Sequence, residues 1–280
     1  VKNLDENRIK VMYNANYSVC DIAKEISVDV GTIYNRLRKM SLYKGRHRKY
    51  ILLEDYFSSI IDENRAYWLG FLIADGYNSG KLIRVDIQDY GHLEKFRDEI
   101  YPNRDMPIRI KINPINVKKI YYIVIQNPIF VKNCNSFGVV RKSLIVEYPD
   151  IPENFDRHFI RGIFDGDGCL TYHMSGNYRR YTFSIVGSMN LMMSIKSKIE
   201  KIGIYVGFRK TKSIYEIHVR GNRQIISLLN YLYDDSVISL DRKFLKYDDM
   251  IKWDGYKRDK KINNILNMEA SKQEDKGYRM

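Results

Sequence analysis

The chain has 280 residues, a formal net charge of +13 and 13% aromatic residues, enough for one or two domains with a sizeable core. It contains no apolar run of roughly eighteen residues that would span a membrane and no N-terminal signal-peptide pattern. Its cysteines, Cys20, Cys134 and Cys169, are scattered and form no CxxC pair. That excludes a zinc ribbon or disulfide scaffold and fits a reducing compartment such as the cytoplasm. The surplus of Lys and Arg favours a polyanionic partner.

Residues 1–45 read as three short helices. The first covers Glu6–Tyr13. The second starts after Ser18, where Ser18 to Asp21 makes a capping-box-like start, and runs to Ile26. Ser27-Val28-Asp29 turns the chain, and Asp29 can cap a third helix over about Val30–Met40. Ile22, Ala23, Ile26, Val28, Ile33 and Leu37 supply a miniature core. The pattern resembles the helix-turn-helix of resolvases and small repressors, which would turn Gly31, Thr32, Tyr34, Asn35 and Arg38 to a DNA groove. A plain three-helix packing module is the alternative. Residues 46–61 form a basic linker, with Arg46, His47 and Arg48 of the LYKGRHRKY stretch expected against phosphates.

WLGFLIADG at 68–76 opens the next segment and returns as IRGIFDGDG at 160–168. Residues four apart share a helix face, so each run predicts a helix with a side-chain-poor stripe. Gly70 and Ala74 form one stripe, Gly162 and Gly166 the other, and such stripes pack at short range. Asp75-Gly76 and Asp167-Gly168 then fall at helix C-termini, with glycine expected in the left-handed position that ends a helix. A carboxylate at the negative pole of a helix dipole is disfavoured, and two packed helices would bring two together. A divalent cation between them offsets the repulsion, and hard oxygen ligands shared with substrate phosphates suit Mg²⁺. Two core helices ended by ordinary Asp-Gly turns are the alternative.

After the first motif the pattern predicts a strand (Leu82–Gln88), a helix (His92–Tyr101), two strands (Ile108–Ile112 and Ile120–Gln126) and a helix from about Pro128. The order returns after the second motif. Strands are expected at Leu170–His173 and Tyr181–Gly187, a helix at Met189–Ile202, and strands at Tyr205–Arg209 and Tyr215–Arg220. Helices follow at Arg223–Tyr233 and Asp241–Met250. The motif acids lie 92 residues apart. That repeat predicts an α+β pseudo-two-fold pair of half-domains, 62–150 and 151–252, with a charged tail at 253–280. Alternation in the strands puts apolar side chains inward and a basic, Tyr-rich face outward, suited to a DNA groove. Arg84, Arg109 and Lys111 in the first half, and Arg179, Arg180, Arg209, Lys210, Lys212 and Arg220 in the second, are the expected DNA contacts. An ordinary solvated sheet face is the alternative.

Both motif copies, and most of the chain from about residue 62 to 250, resemble the LAGLIDADG homing endonucleases in their single-chain, two-motif form. The second copy is close, with Asp165, Gly166, Asp167 and Gly168 in frame; in the first, Ile73 stands where the family often has its earlier Asp. The resemblance implies two αββαββα units whose sheets form a DNA-binding saddle. It also implies a monomer that cuts both strands of a long, specific duplex site with 3′ overhangs. Asp75 and Asp167 match the metal-binding acids, assisted by the backbone carbonyls of Ala74 and Gly166, with Mg²⁺ as cofactor and Mn²⁺ able to substitute. Lys142 in VVRKSL and Lys243 in LDRKFL match lysines that reach the active site. Gln88 is a water-positioning candidate whose counterpart falls at Gly187. Three rivals remain: a non-catalytic DNA-binding regulator of the same fold, an RNA-splicing maturase, and an intein-embedded endonuclease. The last fits poorly, because the chain runs from Val1 to Met280 without the terminal nucleophile and Asn of self-splicing.

Overall fold

The structure, a computed structural model, describes residues 5–15, 17–42, 50–114, 117–140 and 146–253. The chain divides after Ile51 into two compact units. In the first, α1 (Glu6–Asn14), α2 (Val19–Ile26) and α3 (Val30–Lys39) start where short polar side chains meet orphan amides. Asp5 accepts from the Arg8 amide at 3.0 Å, Ser18 from Asp21 at 3.1 Å, and Asp29 from Thr32 at 2.8 Å, which satisfies donors that the first helical turn leaves unpaired. Ser27, at φ 57°, ends α2. Ile9, Tyr13, Val19, Ile22, Ala23, Ile33 and Leu37 close the core, with Ile26 and Val28 packed at its margin.

The second unit begins each half with a motif helix that runs without a break into a strand. The first half comprises α4 (Glu63–Asp75), β1 (Gly76–Asn78), β2 (Ile83–Ile87), α5 (Tyr90–Ile100), β3 (Arg109–Ile112), β4 (Lys119–Ile125) and α6 (Pro128–Ser136). A 3₁₀ turn at Glu153–Phe155 leads into α7 (Asp156–Asp167), β5 (Gly168–Ser175), β6 (Tyr178–Gly187), α8 (Met189–Lys201), β7 (Gly207–Thr211), β8 (Ile214–Arg220) and α9 (Asn222–Tyr233). A last helix, α10, covers 241–253. The strands form two antiparallel sheets, ordered β1-β2-β4-β3 and β5-β6-β8-β7.

Strand β1 is a correction to the sequence reading, and its cause lies in the Asp-Gly pairs. Gly76 (φ −81°, ψ 134°) and Gly168 (φ −80°, ψ 162°) are extended rather than left-handed, so neither pair makes a turn. Glycine is needed there for space. A Cβ at 76 would lie 2.3 Å from the Leu72 carbonyl oxygen, and one at 168 would lie 2.1 Å from the Phe164 ring. Strand β7 likewise starts later than Tyr205. It begins at Gly207, which pairs with His218 and leaves that ring the space a Cβ would fill.

Each sheet buries alternate residues against the helices, as a period of two requires. Ile83, Val85, Ile87, Ile123 and Ile125 are buried in the first sheet, and Phe183, Ile185, Ile217 and Val219 in the second. The opposite faces carry Arg84, Asp86 and Tyr122, and Thr182, Ser184 and His218.

Helices α4 and α7 pack against each other more extensively than any other pair of elements among the described residues. Their stripes meet backbone to backbone: a Cβ at Gly70 would sit 2.2 Å from the Phe159 carbonyl oxygen, and one at Gly162 would sit 2.0 Å from that of Tyr67. Phe159 and Tyr67 each stand three residues before the glycine of their own helix, so the contact repeats itself about the pseudo-two-fold axis. Around it α4 is buried continuously from Ala66 to Ile73, the signature of a helix surrounded by protein. Gly162→Ala is expected to cost about 3 kcal/mol or more, because a methyl meets backbone that has no room to yield. Gly91→Ala, on α5 where the methyl meets nothing within 4 Å, should leave stability unchanged or raise it by up to ~1 kcal/mol. Urea midpoints of the two variants check the contrast.

Candidate active site at the ends of the motif helices

The α4–α7 contact fixes where the motif acids lie. Asp75 is the last residue of α4 and Asp167 the last of α7, and a Cβ on Gly166 would stand 2.4 Å from that of Ala74 and 3.4 Å from Asp75 Oδ2. With no side chain at Gly166, the two helix ends and their carboxylates draw together. Burial raises the pKa of Asp75, with the nearby charges of Lys243 and Arg242 resisting. Asp167 is exposed at the surface, yet crowding by protein and then the charge of Asp75 push its pKa up to about 7, with Lys243 pulling the other way. Two hard-oxygen ligands that repel each other fit a divalent cation chemically. Among the described residues no group of three or more His, Cys, Asp or Glu side chains forms a metal cluster.

A polar cavity of about 360 Å³ opens beside Asp75. Gln88 lines it, together with Asp86, Asp89 and Arg242. Arg242 donates through Nε to Asp89 at 3.1 Å, tying α10 to the start of α5. Sequence reasoning passed over Arg242, Asp86 and Asp89. The signal for Arg242 was the Arg-Lys pair of LDRKFL, whose first member faces the cavity. The counterpart of Gln88 also needs correction. Gly76 pairs with Val85 and Gly168 with Ile185, so Gln88 corresponds to Ser188 and not to Gly187. Ser188 is buried, accepts from the Leu191 amide and donates to the Val146 carbonyl, so it is spent on starting α8.

Lys243 lies at the end of α7, where its charge acts on Asp75 and Asp167. Its ammonium is buried against the end of α7, donating to the carbonyl of Phe164, to that of Gly168 at 2.7 Å, and lying 3.5 Å from that of Gly166. A cation on orphan carbonyls at the negative pole of a helix is favourable, and an ammonium has three donors to give. Burial lowers its pKa to about 8, against the attraction of Asp165 and Asp75. Lys243 therefore offsets the charge of the acids from behind, and the Gly166 carbonyl faces this ammonium. Ala74 lies half-buried against the Gly166 backbone. Lys142 lies outside the described residues.

Asp165 is fully buried and ties four elements together. It accepts from Tyr67 at 2.7 Å, from Tyr233 at 2.5 Å and from the Leu240 amide at 2.7 Å. Burial raises its pKa and these donors resist the rise. Because the Tyr67 hydroxyl gives its proton to Asp165, it accepts from His92 Nε2 at 3.1 Å; burial holds His92 neutral, with a pKa lowered to about 3. Arg161 is also buried, donating to the carbonyls of Ile238 at 2.9 Å and Leu232 at 2.8 Å. Both side chains anchor the connection from α9 to α10, on which Arg242 and Lys243 stand.

The basic residues divide by strand face. Arg84, Arg109 and Lys111 share the helix-free face of the first sheet with Tyr122. Arg180, Arg209 and Arg220 share that of the second, where His173, Arg180, Thr182 and Arg220 border a concavity of about 560 Å³. Arg179 and Lys210 fall on the opposite face, since each is one residue out of step. Arg179 pairs with Asp249 at 2.6 Å and stacks on Tyr172 and Trp253, while Lys210 lies opposite Tyr215. Lys212 takes the left-handed position of the β7–β8 turn, at φ 56°. In the first unit Asn35 and Arg38 are exposed on α3, with Thr32 and Tyr34 half-buried. The Thr32 hydroxyl is engaged by Asp29. Arg46, His47 and Arg48 lie outside the described residues.

A family model described as "Helix-turn-helix domain" matches residues 4–40. No curated protein matches the sequence. Among solved structures, the LAGLIDADG meganuclease I-AabMI bound to uncleaved DNA is similar at a TM-score of 0.50 and 14% identity, over 71% of this chain and 92% of that one. The chain carries the LAGLIDADG fold. Also similar is the homing endonuclease I-WcaI bound to its DNA recognition sequence, at TM-score 0.47 and 13% identity over 72% of this chain and 94% of that one. Full-length WhiA from Thermatoga maritima has TM-score 0.44 and 13% identity over 79% and 72%. No helix among the described residues is long and apolar enough to cross a membrane.

Asp165→Ala would strand two buried hydroxyls and an amide. It is expected to lower stability by roughly 3 kcal/mol or more, read from the urea midpoint.

Proposed function

We propose that the chain is a divalent-metal-dependent endonuclease that cuts both strands of a long duplex DNA site. The observation that carries this reading is the pairing of Asp75 and Asp167 at the ends of two helices held together by glycine. Burial raises the pKa of both carboxylates and the charge of Asp75 adds to the rise at Asp167, an unfavourable arrangement unless a cation is meant to join them. Asp75 and Asp167 would hold Mg²⁺, or Mn²⁺ in its place, and the ion supplies Lewis-acid charge to the scissile phosphodiester. Gln88 orients a water in the cavity beside Asp75, and Arg242 offers positive charge at its rim. The exposed basic faces of the sheets bind the duplex, and the helix-turn-helix adds phosphate-derived affinity or length of footprint.

A second reading, a DNA-binding regulator without catalysis, is favoured by one observation. Two donors of Lys243 are committed to the carbonyls of Phe164 and Gly168 and the third faces that of Gly166 at 3.5 Å, so the ammonium is turned to the end of α7 and not to a substrate oxygen. An RNA-splicing maturase would use the same basic faces on the other polymer.

Genomic duplex DNA incubated with the protein and Mg²⁺ or Ca²⁺, followed by sequencing of the ends, separates these. The nuclease gives one recurrent staggered break with Mg²⁺ that is absent with Ca²⁺ and in Asp75→Asn or Asp167→Asn, while both variants keep affinity within a few-fold. Footprints without a break in any metal would establish the regulator. Binding to structured RNA and not to DNA would establish the maturase.

Metal affinity should also depend on pH. Asp167, with its pKa raised to about 7, must release its proton to ligate a cation. Mg²⁺ binding therefore strengthens as pH rises through about 7 and releases protons near neutrality. Calorimetric titrations in buffers of different ionisation enthalpy measure that release.

A further inference from the structure

One arginine on the helix-free face of the first sheet is held as a surface arginine seldom is. Arg84 donates through Nε to Asp86 Oδ1 at 2.7 Å, and its guanidinium lies 4.4 Å from the centre of the Tyr122 ring. The other oxygen of Asp86 accepts from Lys111 at 2.6 Å. The carboxylate fixes the Nε edge of the guanidinium and the ring fixes its plane. No protein partner engages Nη1 or Nη2 among the described residues. Those two nitrogens form a fork for planar, bidentate recognition. A preorganised fork gives up little freedom on binding.

We propose that Arg84 is a base-reading residue that selects a guanine in the bound duplex, and that Asp86 and Tyr122 are its positioning residues. The inference rests on the DNA-binding reading above and adds to it a chemical identity for one contact. A phosphate would suit the fork equally by shape, but Asp86 shifts the balance toward a base. Its carboxylate offsets one of the two positive charges of Arg84 and Lys111 that share it, which weakens the pull on a phosphate and leaves the neutral edge of a base unaffected. The O6 and N7 of guanine are the acceptors that such a fork meets in the major groove. Asp86 also borders the cavity that holds Asp75, so the selected base pair lies in the part of the site nearest the cut. Strand β6 has no equivalent device, because the register sets Asp86 opposite in role to Val186.

The test is selection of duplexes from a randomised pool by the full chain in Ca²⁺, with sequencing of the bound fraction for wild type, Arg84→Lys and Asp86→Asn. Wild type should require G·C at one position. Arg84→Lys, which keeps the charge and loses the fork, should lower the preference there by about tenfold and leave the other positions unchanged. Asp86→Asn should weaken the same preference while raising affinity for unrelated duplex DNA, since an acid is removed from the bound face. That second effect is one a merely structural role would not produce. A uniform loss of affinity in Arg84→Lys, with every positional preference intact, would overturn the proposal and make Arg84 a phosphate contact. No selection by wild type would instead count against the DNA-binding reading itself. Unchanged thermal midpoints confirm that the variants are folded.

Discussion

Everything in the second unit depends on two helix backbones touching where side chains are missing. Gly70 faces the Phe159 carbonyl and Gly162 the Tyr67 carbonyl on the opposite helix, at a range where a single methyl has no place. Gly166 and Ala74 extend that contact to the helix ends. Dispersion between backbones at this distance is modest per atom pair, but the contact fixes geometry as well as energy. It sets the two halves about a common axis and sets Asp75 and Asp167 side by side. A larger residue in either stripe would separate the acids before it altered any group that does chemistry.

Bringing acids to the negative poles of two packed helices carries an electrostatic cost, and the fold answers it on one side. Lys243 sits on the carbonyls that end α7, and Arg242 stands at the cavity beside Asp75. Both come from α10, which Asp165 and Arg161 secure from within the core. Asp165 therefore serves the site at one remove: it holds the segment that brings the cations. The pKa of Asp167 stays raised, first by burial and then by the charge of Asp75, and under the proposed function a divalent cation would offset both.

Much of this was legible in the chain. The repeat of Gly, small residue, Asp and Gly at equal spacing announced the helix pair and its acids, because close approach leaves few residue types admissible. Caps at Ser18 and Asp29 were equally plain, since each places a short oxygen acceptor before an apolar helix face. What was not legible depended on register and depth. Gly76 and Gly168 read as turn residues, yet they are extended, and only a neighbouring carbonyl and ring explain them. Arg179 and Arg180 are adjacent and alike in sequence, and the pleat sends them to opposite faces. Lys243 read as a residue reaching for substrate, because its motif shows a charge and not the three carbonyls around it. Asp165 looked like a motif letter; its two tyrosines come from α4 and α9, about a hundred residues upstream and nearly seventy downstream.

The account stands on one site shared by two acids from two helices. Titration of Mn²⁺ followed by electron paramagnetic resonance, on wild type, Asp75→Asn and Asp167→Asn, tests that directly. Shared ligation predicts that each single substitution weakens binding of the same ion by a similar factor. Loss of binding in one variant with full binding in the other would contradict a shared site and leave the second acid as a residue of the fold alone.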